Sequence, residues 1–78
     1  MRLSYDKQLN VAYLRLREKS SEVETLRLSD DLLIDIGPDG RVFGIEFLNA
    51  AEQLADEDDG HILFTDPTTG EEKRLKVA

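Results

Sequence analysis

Cysteine and tryptophan are absent from this chain of 78 residues, and histidine occurs once, as His61. Without thiols there is no disulfide, and no metal cage built on thiolates. No stretch approaches the ~20 consecutive apolar residues that a membrane span needs. The start, Met1 to Asp6, has no apolar run of the kind found in a secretory leader. A cytoplasmic protein without a membrane anchor is therefore expected. Glycine-rich phosphate loops are missing too: Gly37, Gly40 and Gly44 do not precede a helix, so the dinucleotide reading fails. Basic residues are scarce, 10 against 17 acidic ones, for a net charge of −7. Such a balance repels phosphates, and Arg15, Arg17 and Lys19 make too small a patch for direct nucleic-acid binding. A basic protein suits the chain better.

The chain is 40% hydrophobic and 35% charged, enough for one domain. Size scaling gives a compact chain of this mass a surface of about 4,800 Å², against about 12,900 Å² unfolded. A core that thin usually needs support, and with disulfides excluded the support expected is oligomerisation.

Most of the sequence alternates with period two. Arg2 to Asp6, Val11 to Arg17, Glu22 to Leu28, Leu32 to Ile36 and Arg41 to Leu48 read as strands. The third slips in its alternation between Val23 and Leu26, which predicts a bulge. Gly37-Pro38-Asp39-Gly40 is a turn: proline presets φ, aspartate tolerates tight geometry and glycine supplies positive φ. A four-residue loop pairs Ile36 with Arg41, Ile34 with Phe43 and Leu32 with Ile45, keeping the large apolar residues on one face. Asn49 is the expected N-cap of a short helix, with Glu52 completing a capping box. Ala51, Leu54 and Ala55 form its apolar stripe, and the acidic run ending at Gly60 stops it. A final hairpin pairs Ile62 with Leu75 around Pro67 to Gly70.

The result is an α+β fold: an antiparallel β-meander of about five strands, then one short helix and a C-terminal β-hairpin. Residues 1–60 form the meander and helix, and 61–78 a hairpin extension of the same domain. Phe43, Ile45, Phe47, Ile34 and Leu14 suit a core under the helix. Val11, Tyr13, Leu33, Val42 and Leu48 have the opposite parity, so the second face is also partly apolar. The C-terminal hairpin or a second subunit is expected to cover it.

Tyr5-Asp6, Ala12-Tyr13-Leu14-Arg15-Leu16 and the run from Asp35 to Ala50, with Gly44-Ile45-Glu46 as its most specific part, resemble DUF2283, a small prokaryotic family of unknown function. The resemblance spans about residues 2–55. It implies a small antiparallel sheet followed by a helix, no established activity, and antitoxin-like partnership with small basic toxins. Asn10 stands where that family often has an acidic residue, and the hairpin from Ile62 to Ala78 lies outside its usual domain.

Several constellations bear on chemistry. Asp35, Asp39, Gly40 and Glu46 approach a calcium loop, but Gly37 and Pro38 break the pattern and the flanks are strands. Asp56, Glu57, Asp58 and Asp59 lack the spacing of a metal site and read as a solvated helix end or a docking strip for a basic protein. Gly44 admits a close approach, with Tyr13 lying over it and Glu46 pairing with a base such as Arg15. His61 has no orienting carboxylate or nucleophile at a supporting spacing, so no enzyme is expected. The reading is a protein-binding module, antitoxin-like and homodimeric, with no cofactor. Its expected contacts are Val11, Tyr13, Arg15, Leu33, Val42, Asp56, Glu57, Asp58 and Asp59, and Pro38, Asp39, Gly40 and Gly44 serve as structural turn residues. The alternative is a small-ligand or divalent-metal sensor using Asp35, Asp39 and Glu46.

Overall fold

The computed structural model describes residues 1–18, 22–54 and 58–76. Five strands form one antiparallel sheet: β1 (Arg2–Asp6), β2 (Val11–Arg15), β3 (Glu24–Ser29), β4 (Leu32–Ile36) and β5 (Val42–Leu48). Their order across the sheet is β1-β2-β5-β4-β3. The last three make a meander whose final strand docks beside β2. A helix, α1 (Ala50–Leu54), follows β5. A 3-10 turn at Asp58–Gly60 then leads into a separate hairpin, β6 (His61–Thr65) with β7 (Glu72–Lys76). The expected fold class is thus the one observed, and Ile62 does face Leu75. The start of the acidic run, Asp56 and Glu57, and Ala55 of the expected helix stripe lie outside the described residues.

The β4–β5 register differs from expectation in an instructive way. The Gly37 amide donates to the Arg41 carbonyl (2.9 Å), and the Gly40 amide to the Gly37 carbonyl (3.0 Å). The loop therefore has three residues, closed by Gly40 at φ 82°. Continued unbroken, that register pairs Ile34 with Gly44 and scatters the apolar residues. A bulge at Phe43 absorbs the odd residue, so Ile36 faces Val42 but Ile34 faces Ile45 and Leu32 faces Phe47. The parity expected from the sequence is preserved by a different route. The bulge in β3 also exists, but at Leu28, between Arg27 and Ser29.

Alternation sorts the sheet into two faces. Leu3 and Tyr5 of β1 stand across Leu14 and Ala12 of β2. Those two stand across Ile45 and Phe47, which in turn face Ile34 and Leu32, and Ile34 faces Leu26. This apolar face carries the helix at one end only. Ala12 and Ala50 are fully buried and are the only buried hydrophobic residues besides glycine among those described. No large side chain among the described residues is fully buried. The helix therefore does not cover the expected core of Phe43, Ile45, Phe47, Ile34 and Leu14, which stays half-buried. Five residues of helix reach too little of a sheet this wide.

The helix start is also held differently from expectation. Asn49 has φ 50° and turns its amide to Asp31 Oδ1 (2.7 Å). The cap comes instead from Asn10, in the β1–β2 turn. Its Oδ1 accepts from the Ala51 amide (2.9 Å), its carbonyl accepts from Ala50 (2.9 Å), and its amide donates to Glu52 (2.9 Å). Gln53 donates to the carbonyls of Asp31 and Leu48, tying the helix to the β3–β4 turn and the end of β5.

Candidate functional site

The face opposite the helix has a polar centre. Tyr13 of β2 stands across Glu46 of β5, extends its ring over Gly44 and donates its hydroxyl to Asp35 Oδ2 of β4 (2.7 Å). From the other side, Thr25 of β3 donates to Asp35 Oδ1 (2.6 Å). One carboxylate thus links four adjacent strands. Asp35 is 7% exposed, and its two oxygens accept from two hydroxyls, as a buried charge requires. Gly44 makes the crossing feasible: a Cβ built there would fall inside the tyrosine, with Tyr13 Cε1 at 2.7 Å. The expected aromatic cover of Gly44 is what the structure contains. Thr25 was not singled out in the sequence. The signal that points to it is indirect: a glycine inside a strand, flanked on the same face by a tyrosine and an aspartate.

The other expected contacts are distributed as follows. Val11, Tyr13, Arg15 and Leu33 share this face with Glu46, and all are half-buried. Val42 stands across Ile36 at the bulged end of β5. Asp58 and Asp59 are exposed in the turn before β6. Pro38 and Asp39 lie in the β4–β5 loop, where Asp39 accepts from the Arg41 amide (3.0 Å) and pairs with its guanidinium (3.3 Å). Among the described residues, Glu46 and Arg15 form no ion pair. Asp35, Asp39 and Glu46 do not converge, and no three His, Cys, Asp or Glu side chains among the described residues are grouped to hold a metal ion. His61 directs Nδ1 at the Asp58 carbonyl (3.3 Å).

The centre of this face is therefore polar, with both Asp35 oxygens satisfied, and the opposite face is apolar and carries the helix. In the hairpin, His61, Ile62 and Leu63 of β6 are half-buried and the rest of its described residues is exposed. Every residue of β7 is exposed, Phe64 is 72% exposed and Leu75 55%. The chain's surface is 5856 Å², about 1,000 Å² more than a compact chain of this mass presents. Its Cα radius of gyration is 14.0 Å, against about 11.5 Å for a compact domain of this length. Among the described residues, no helix is long and apolar enough to cross a membrane.

These features define a small α+β protein built on a five-stranded β-layer with one apolar face and one mixed face with a polar centre. Residues 2–50 match the family described as protein of unknown function (DUF2283), and the chain belongs to that family. No curated protein and no solved structure matches the chain. The matched segment ends at the first residue of α1, so the C-terminal hairpin lies outside it, and the resemblance read in the sequence over about residues 2–55 ran a few residues further.

Proposed function

We propose that this is a non-enzymatic protein-binding module of the prokaryotic cytoplasm, acting as a homodimer and, in its sharpest form, neutralising a small basic protein in the manner of an antitoxin. The observation that carries the reading is the absence of any fully buried large side chain among the described residues, in a sheet whose helix-side face is continuously apolar. Single sheets need a second layer to exclude water from such a face. A net charge of −7 supports a basic partner by steering its approach. Neutralisation would then be occlusion of the partner's working surface, with no covalent step. The test is co-expression with the product of the adjacent gene, followed by purification. Co-elution of a stoichiometric complex, or a dimer of this chain alone, is the expected result. A strictly monomeric protein at high micromolar concentration, with nothing bound, overturns it.

A further inference from the structure

We infer that β1 is the edge on which the partner protein adds a strand. The added segment lies antiparallel to β1, with a carboxylate opposite Arg2, apolar residues opposite Leu3 and Tyr5, and a base opposite Asp6. This rests on the protein-binding reading and names the surface that reading uses. Among the described residues the five-stranded sheet ends at β1 on one side and β3 on the other. A sheet edge presents unpaired backbone N–H and C=O groups, and natural proteins blunt such an edge where nothing is to be added. The β3 edge is blunted by its bulge between Arg27 and Ser29. The β1 edge runs in unbroken register from Arg2 to Asp6, with no bulge and no proline.

Side chains along β1 give a second, independent signal. Arg2 stands directly across from Arg15 on the Tyr13 face, and like charges so placed repel. The chain has 17 acidic residues, yet among the described residues neither arginine is in an ion pair. A carboxylate on an added strand would sit on the open side of Arg2. At the other end of β1, Asp6 commits Oδ1 to the amides of Gln8 (2.9 Å) and Leu9 (3.1 Å) in the turn, and among the described residues its Oδ2 is unengaged. Between these ends, Leu3 and Tyr5 are half-buried on the opposite face, in line with Leu14 and Ala12, so apolar residues of the incoming strand continue that face. The antiparallel ladder is the stabler one, so the segment reads base, apolar, polar, apolar, acid from its N-terminal end.

A pair of end-capped peptides tests this, Lys-Val-Thr-Val-Glu and Lys-Val-Thr-Val-Lys, titrated into the full chain and followed by backbone amide NMR. The first should shift the amides of Arg2 to Asp6 and leave those of Glu24 to Ser29 in place. It should bind about 5-fold tighter than the second, the worth of one cross-strand charge pair. Long-range attraction to a chain of charge −7 favours the second peptide, so the expected order reads the local pairing. Arg2→Glu should reverse that order. Shifts confined to β3, or a preference of the unmodified chain for the second peptide, overturn the assignment. Protection of the β1 amides from hydrogen exchange in the chain alone, growing with its concentration, means that another copy fills the edge and overturns it as well. If neither peptide moves β1 while the co-expressed partner still co-elutes, the edge is overturned and the binding-module reading stands. If nothing binds at all, both readings fall.

Discussion

At position 44 a methyl group has nowhere to go, because the Tyr13 ring already occupies the space above the strand. Gly44→Ala must push Tyr13 off Asp35, leaving a buried carboxylate short of a donor. The expected loss is about 1–3 kcal/mol in chemical denaturation, in line with overpacking and a broken hydrogen bond to a charged group. Tyr13→Phe loses the same hydroxyl without the clash. Because both changes act on one contact, the double variant should cost less than the two summed. Asn10 offers a second test. Asn10→Ala removes the acceptor for the Ala51 amide, and a lost cap typically costs about 1 kcal/mol. The same substitution frees Glu52. In the native protein the Asn10 amide, and then Glu52's own backbone, hold its carboxyl below the usual carboxylate range. Its folded value lies below its unfolded one, so its contribution is present above the unfolded value and is lost as pH falls through the folded one. NMR titration of the Glu52 side chain should show its carboxyl move up toward the usual carboxylate range in Asn10→Ala, with the pull of its own backbone remaining. Neither contact was legible in the local sequence. Asn49 and Glu52 have capping-box spacing, and only the fold brings the β1–β2 turn to the helix.

The hairpin β6–β7 and the five-stranded sheet are hydrogen-bonded as two separate sheets. β7 is exposed along its length, Phe64 and Leu75 face outward, and only His61, Ile62 and Leu63 of the hairpin's described residues are half-buried. Truncation after Gly60 should therefore keep the sheet's amide spectrum and shift the thermal midpoint by only a few degrees. A collapsed spectrum would mean that the hairpin holds the sheet together. The β4–β5 hairpin depends on Gly40, whose φ of 82° suits glycine alone. Gly40→Ala is expected to cost roughly 1 kcal/mol, read as a shifted denaturation midpoint at unchanged slope. Strand boundaries were readable because alternation and turn chemistry are local. The bulge at Phe43 was not, because it arises from a conflict between the turn's preferred geometry and the parity of Leu32, Ile34, Ile45 and Phe47.

A single β-layer with one continuous apolar face is not a finished globule. If the second layer comes from another copy, folding and association are linked, and the thermal midpoint must rise with protein concentration. Dilution over about two decades in a calorimetric or circular-dichroism scan measures this, and a midpoint that stays constant would mark a self-sufficient monomer. The polar face should be indifferent to association, since the Tyr13–Asp35–Thr25 chain is completed within one copy.

Alternating strands, the Gly37–Gly40 turn, the short helix and the tail hairpin follow from period, propensity and turn residues, all of which act over a few neighbours. The sequence also carried the shortage of core, since charge, length and the lack of cysteine left no internal remedy. What sits at the centre of each face was settled only when the strands took the order β1-β2-β5-β4-β3. That order places Gly44 between Tyr13 and Asp35, setting a polar contact at the centre of a face that also carries Val11, Leu33 and Leu48. It also leaves a helix of five residues over a sheet five strands wide. Burial depends on which strands become neighbours, and pairing between distant segments is not written in the pattern of any one of them.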